Sequence, residues 1–279
     1  MNAFGARQDS LSATDLIMIS DIVRARSGIV CGPDKASLVE SRLGQVVRSR
    51  GLASLSDIAT QLRSRPDHTL AHDVVDAMAT NETLFFRDSR PFDHFRLHAL
   101  PSLHAVHPPT QPLRVWSAGA SSGQEVYSIA MTVLEAGLGS RPIQILGTDI
   151  SAEQLTRARQ GQYTNFEVQR GLSPQKLARH FCKVEENWQI SDTIRQMVEF
   201  RVWNLMHDLR PLGIFNLVFC RNVLIYFDLD TKRKVLDAIW ARLAPGGLLY
   251  LGGAETTFGV LDRFVPCPGA HQVYSAVPA

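Results

Sequence analysis

Three polar side chains stand at the end of an apolar run. Phe215-Asn216-Leu217-Val218-Phe219-Cys220 carries no charge and is rich in β-forming residues, as a buried strand requires. Arg221, Asn222 and Tyr226 follow it. In open parallel α/β sheets, ligands bind outside the carboxyl ends of the strands. An arginine, an amide and a phenol at such an end therefore point to chemistry. A second cluster follows the strand-like run Leu113-Arg114-Val115-Trp116. It is the small-residue loop Ser117-Ala118-Gly119-Ala120-Ser121-Ser122-Gly123, with Glu125 just beyond. Small residues let backbone approach a ligand, and a helix N-terminus offers unpaired N–H groups. Gly119-x-x-x-Gly123 is not the GxGxxG dinucleotide pattern. Glu125 in a first helical turn is favoured by the helix dipole. It can also meet a positive amino group of a cofactor; the two readings coexist. Asp149 ends the next apolar run, where an acid accepts from ribose hydroxyls. The plainer reading is an Asp capping the helix that starts near Ser151.

These residues need a frame, and the periodicities describe one. Residues 1–80 read as helices only. Leu16, Ile17, Ile19, Ile22 and Val23 form one apolar face, ending at Gly28. Asp34 is placed to cap a second helix through Val39, Leu43, Val46 and Val47. Ser54 with Asp57 resembles a capping box, and a fourth helix spans about His68–Ala79. Residues 81–112 form a linker, helical from 88 to about 103 and closed by His107-Pro108-Pro109-Thr110-Gln111-Pro112. From 113 to 279 the pattern alternates strand and helix: strands at 113–116 and 143–149, helices at about 124–136 and from Ser151 to Gly161. Such alternation predicts a doubly wound, mostly parallel α/β sheet. A stretch at about 163–201 breaks the rhythm. Its weak strands at 188–190 and 197–200 read as a small inserted β element. Leu243-Ala244-Pro245-Gly246-Gly247-Leu248-Leu249-Tyr250-Leu251 reads as a helix end, a turn and a strand. Phe264-Val265 and Gln272-Val273-Tyr274 read as a closing hairpin.

Composition sets limits. The 279 residues allow about two domains at ~150 residues each. A hydrophobic content of 45% is ordinary for a chain that buries a core. The net charge of +2 argues against nucleic acid as a partner. The cysteines Cys31, Cys182, Cys220 and Cys267 are far apart without CxxC spacing, so neither a zinc site nor a disulfide framework is expected. Buried free thiols fit a reducing cytoplasm. No apolar run approaches the ~18 residues of a membrane span, and the N-terminus has no signal-peptide pattern. The pairs His68/His72 and His94/His98 have i, i+4 spacing but no HExxH context, and read as surface or packing histidines. Eight basic residues lie between Arg24 and Arg65, against Asp34, Glu40 and Asp57. Lys35 and Arg42 flank the apolar stripe of the second helix, and Arg48 lies nearly opposite it. A solvated face is the ordinary explanation; a docking face for an acidic partner is the other.

Four ordered motifs carry a family resemblance over nearly the whole chain. Thr80-Asn81-Glu82-Thr83-Leu84-Phe85-Phe86-Arg87-Asp88 resembles the TNxTxFFR signature of the chemotaxis-receptor glutamate methyltransferases, the CheR family. Val115 to Glu125, Gly147-Thr148-Asp149-Ile150-Ser151 and Phe219 to Phe227 resemble the family's other motifs in order and spacing. Gln124-Glu125-Val126 departs from the usual GEEPYS, losing an acid and the proline but keeping Glu125. Glu82 replaces a residue that is commonly apolar. The resemblance implies a class I, Rossmann-like methyltransferase using S-adenosylmethionine to methylate receptor glutamates. Its cofactor contacts would be Asn81, Thr83, Arg87, Gly119, Glu125, Asp149, Asn204, Leu205, Arg221 and Asn222. Arg87 and Tyr226 would flank the transferring methyl. No metal is implied. The implied partners are acidic methyl-accepting signalling domains, docked on Lys35, Arg42 and Arg48, with the enzyme a cytoplasmic monomer. Two rivals remain at the level of sequence. A nicotinamide oxidoreductase shares the strand–loop–helix–strand–Asp layout but would want GxGxxG. A non-catalytic adaptor would not need Arg87, Asp149, Arg221 and Tyr226 together.

Overall fold

A computed structural model describes residues 10–64, 67–108, 110–137 and 141–277. Arg65 and Pro109 lie outside that set. The chain divides into two compact units, one of residues 1–80 with 226–228, the other of 81–225 with 229–279.

The first unit is helical: α1 (Ala13–Ser27), α2 (Ala36–Arg50), α3 (Leu55–Ser64) and α4 (His68–Met78). Ser12 caps α1 by accepting from the Asp15 N–H. Ser54 and Asp57 form the expected reciprocal cap, each side-chain oxygen accepting from the other's N–H. Asp34 does not cap α2. It falls in a short 3₁₀ turn, Pro33–Lys35, and the residue before α2 is Lys35, without a side-chain cap. Proline at the first position of that turn starts the helical winding early. Val23, Val39, Leu43, Ile58, Leu70 and Val74 are buried and make the bundle's core. Arg42 donates to the Met78 carbonyl and to Thr80 Oγ1, tying α2 to the end of α4. The segment 226–228 joins this unit through the Val30 N–H to Tyr226 carbonyl bond (2.9 Å), an Ile29–Phe227 bridge and the Arg24–Asp228 pair.

The second unit opens with one long helical stretch in three parts. These are α5 (Ser89–His94), a π turn at Phe95–Ala99 and α6 (Leu100–Val106). Pro101 has no N–H to give the preceding turn, and the Leu100 N–H reaches back to Phe95 instead, which widens the helix there. Then come β1 (Leu113–Ala118), α7 (Gln124–Glu135), β2 (Ile143–Asp149) and α8 (Ala152–Gln160). The insert follows as β3 (Gln162–Thr164), α9 (Asn165–Gln169), α10 (Pro174–His180), β4 (Phe181–Val184), β5 (Asn187–Ile190) and α11 (Asp192–Arg195). The remainder is β6 (Val198–Val202), β7 (Phe215–Cys220), α12 (Leu229–Trp240), β8 (Leu243–Leu251), β9 (Phe264–Pro266) and β10 (Val273–Ala276).

The main sheet has the order β6-β2-β1-β7-β8-β10-β9. Its first five strands are parallel, and β10 and β9 close it antiparallel. It is the expected mostly parallel, doubly wound sheet. The order reverses between β1 and β7, which opens a crevice at their carboxyl ends. Every residue of β7 is buried, as a strand covered on both faces must be. Phe219 stacks on Tyr250 of β8 at 4.3 Å.

The small antiparallel sheet β3-β5-β4 is the inserted element. Two strand expectations are corrected. Residues 198–200 belong not to the insert but to β6, which pairs in parallel with β2. Their charged, alternating sequence is that of an edge strand. Leu243-Ala244 is not a helix end: α12 stops at Trp240, and Leu243 already pairs with Phe215 across a bulge.

Candidate active site

The site is built at the carboxyl ends of β1, β2, β6, β7 and β8, within the second unit. Arg221, directly after β7, is its centre. Its side chain is 1% exposed. Nη1 donates to Glu125 Oε2 at 2.9 Å, and Nη2 donates to Asp88 Oδ2 at 2.9 Å and to the Arg87 carbonyl at 2.7 Å. Phe92 lies under the guanidinium at 5.6 Å. Glu125, in the first turn of α7, also accepts from Ser117 Oγ at 2.8 Å. A buried charge must be paired. Here one guanidinium faces two carboxylates, which leaves an acidic excess. Arg221 Nε is buried with no partner among the described residues, a donor still lacking its acceptor.

Asp149 ends β2. Its Oδ2 accepts from the Ser121 N–H at 2.7 Å and its Oδ1 from the Ser151 N–H at 2.9 Å. Helix capping is thus part of its role, since Ser151 is the N-cap of α8. Ser121 Oγ donates to the Asn81 carbonyl at 2.8 Å, so the linker motif is tied to the β1 loop. Asn81 and Thr83 are half-buried, and Arg87 donates back to the Glu82 carbonyl at 3.3 Å. Asn204 and Leu205 follow β6, next to Trp203, whose N–H donates to the Asp149 carbonyl at 2.8 Å. The Asn204 side chain accepts from the Met206 N–H. Trp203 Nε1 is buried without a partner among the described residues.

Gly119 turns at φ +85°, and a Cβ there would lie 2.4 Å from Val223 Cγ2. No side chain fits between the β1 and β7 loops. Four non-glycine residues of the site, Phe86, Asp88, Ser121 and Asn222, also have φ between 48° and 58°. Backbone in this uncommon region persists only where its surroundings impose it.

Two further observations limit the chemistry. Burial pushes the Cys220 thiol well up, and the charges of Glu255 and Glu125 push the same way, so it is no nucleophile. Among the described residues no cluster could hold a metal ion. His94 packs against Tyr250, with Nδ1 3.0 Å from the phenol oxygen.

Glu125, Arg221, Arg87, Asp149, Asn81, Gly119 and Asn222 therefore converge through these links. Thr83 makes no side-chain hydrogen bond among the described residues. Tyr226 groups with the helical unit, half-buried, one residue past the loop. Asp88 and Glu255 were not singled out by sequence reasoning. Asp88 stood inside a quoted motif, beside the more conspicuous Arg87. Glu255 had no signal beyond being a lone acid after β8.

The family models match along the whole frame. Residues 14–78 match the CheR methyltransferase all-alpha domain, and residues 81–273 match the CheR methyltransferase SAM binding domain. The chain belongs to the CheR methyltransferase family. It is 42% identical over 243 residues to Chemotaxis protein methyltransferase Cher2 of Pseudomonas putida, covering 85% of this chain and 88% of that one. It is 40% identical over 261 residues to Chemotaxis protein methyltransferase 1 of Pseudomonas aeruginosa, covering 91% and 94%. For Chemotaxis protein methyltransferase 1 of Vibrio cholerae the identity is 43% over 248 residues, covering 87% and 89%. This CheR family member is an enzyme, a methyltransferase dependent on S-adenosylmethionine, and the nicotinamide reading is set aside. The site fits that cofactor on its own terms. The unpartnered Arg221 Nε suits a carboxylate, and the acidic excess of Glu125 and Asp88 suits an ammonium. The Gly119 turn lets the β1 and β7 loops close on each other beside Arg221. Among the described residues no helix is long and apolar enough to cross a membrane.

Proposed function

We propose that this enzyme methylates glutamate side chains on the signalling domains of chemotaxis-type receptors, in the cytoplasm, as a monomer. The observation that carries the proposal is the buried Arg221, held between Glu125 and Asp88 at the strand-order reversal with one N–H still open. When bound, S-adenosylmethionine supplies a methyl group made electrophilic by its sulfonium. A glutamate with a pKa of about 4.3 is already ionised at pH 7, so no residue need remove a proton. The chain's contribution is then orientation, worth roughly 7–11 kcal/mol in favourable cases. Arg221 and Glu125 hold the amino-acid end of the cofactor, Asp149 the ribose, and Asn204 and Leu205 the adenine. Asn81, Thr83, Gly119 and Asn222 line its path. Arg87 and Tyr226 steer the acceptor carboxylate towards the methyl. Residues 1–80 act as the receptor-docking domain, 81–112 as the linker and 113–279 as the methyl-transfer domain.

Docking falls chiefly to Lys35 and Arg48, which are exposed and enter no ion pair among the described residues. Arg42 is committed to Met78 and Thr80. The test is transfer of labelled methyl to a receptor fragment. Arg87→Ala and Tyr226→Phe should lower the rate about 10–100-fold with the fold intact. Wild-type rates in both variants would reject their roles.

A further inference from the structure

We propose that Glu255 is a positioning residue for cofactor binding, a single carboxylate that locks three loops of the site together. Glu255 stands in the turn after β8 and is 4% exposed. Its Oε2 accepts from the Gly252 N–H at 2.7 Å and the Asn222 N–H at 2.8 Å. Its Oε1 accepts from the Val223 N–H at 2.9 Å and the Ile225 N–H at 3.2 Å. Four backbone donors from two loops thus converge on one side chain, and both of its oxygens are filled by main chain.

The consequence runs through the fold. Asn222 sits at φ 58° directly after Arg221, a conformation a free loop does not favour. Glu255 holds the amides on both sides of its Cα, those of Asn222 and Val223. Val223, held by the same carboxylate, places its Cγ2 in the space where a Cβ on Gly119 would stand. The loop after β8 therefore fixes the loop after β7, which fixes the turn after β1. Gly252 makes the clamp possible, since a Cβ there would lie 2.8 Å from Glu255 Oε2 and 2.9 Å from the Asn222 nitrogen. Preorganising loops that meet a ligand is how a residue without ligand contact governs affinity.

The inference rests on S-adenosylmethionine binding and not on glutamate as acceptor, so it is read with S-adenosylhomocysteine alone. Glu255→Gln keeps the volume but turns an amide NH2 towards backbone donors. By calorimetry the variant should bind S-adenosylhomocysteine at least tenfold more weakly, and the KM for S-adenosylmethionine should rise more than kcat falls. Glu255→Asp should recover part of the loss. In the wild-type protein, S-adenosylhomocysteine should slow hydrogen exchange at the amides of Gly252, Asn222 and Val223 together. An affinity within twofold of wild type in folded Glu255→Gln would overturn the proposal. So would unchanged exchange at those three amides, a reading that needs no variant to fold. Failure to methylate a receptor fragment would leave both measurements standing.

Discussion

At the residue scale the molecule depends on a buried charge balance. Arg221 neutralises one of two carboxylates and leaves an acidic remainder beside an open N–H. Removing one partner of a buried pair strands the other, at a cost of about 3–5 kcal/mol. Arg221→Ala should therefore lower stability by that order in chemical denaturation and abolish S-adenosylhomocysteine binding. Loss of binding without loss of stability would show that Glu125 finds another partner. Gly119→Ala should cost roughly 1–3 kcal/mol, since φ +85° is strained for any side chain. Val223→Ala in the same molecule should return part of that cost by clearing the 2.4 Å approach. Additive effects in the double variant would deny the contact. Much of this site was legible as residue types at strand ends. Arg221 and Asp149 are conspicuous because they end strand-like runs, and Glu125 because it opens a helix after a small-residue loop. Glu255 was not legible, because its importance lies in four backbone N–H groups that only the folded chain brings to it. Nor was the bond between Glu125 and Arg221, which links residues far apart in sequence.

At the element scale, what decided legibility was whether the determinant was local. Ser54 with Asp57, Ser151 and the glycine stops are local, and they stand where periodicity put them. Asp34 failed because Pro33 opens a 3₁₀ turn ahead of α2. Residues 198–200 were misassigned because an edge strand's alternating pattern does not name its neighbour; only pairing with β2 does. The insert is fastened to the linker motif by means no pattern announces. Phe85 is buried edge-on against Tyr163 and Phe181. Gly171, at φ +109°, passes so close that a Cβ would strike the Phe85 carbonyl. At the end of α7, Glu135 meets both Lys176 and His180 of α10. Burial raises the Glu135 carboxyl, but hydrogen bonds and charges from Lys176 and His180 outweigh it and hold it below its ordinary 4.5. A group depressed on folding contributes stability that is present above its unfolded pKa and is lost as pH falls through the folded one. The stability difference between wild type and Glu135→Gln should thus be full near neutrality and shrink below about pH 4.5. A difference independent of pH would assign the residue to packing alone.

At the scale of the whole molecule, receptor docking is proposed for the basic helical unit and methyl transfer for the site-bearing unit. Among the described basic residues of the first unit, five have internal partners: Arg24 meets Asp228, Arg26 His68, Arg50 Asp73, Arg63 Asp15, and Arg42 Met78 and Thr80. Lys35 and Arg48 remain among the described residues. If an acidic receptor helix docks there, the receptor KM should rise with added salt, because exposed charges are screened over ~10 Å at 0.1 M. Lys35→Glu with Arg48→Glu should raise it further while S-adenosylhomocysteine affinity stays unchanged. A salt-independent KM would place docking elsewhere. The central claim, methyl transfer to glutamate, has a direct reading in peptide mapping of a receptor fragment after incubation with enzyme and S-adenosylmethionine. The account predicts methyl groups on glutamate side chains, released as methanol by mild alkali. Methylation confined to nitrogen, stable to alkali, would contradict it.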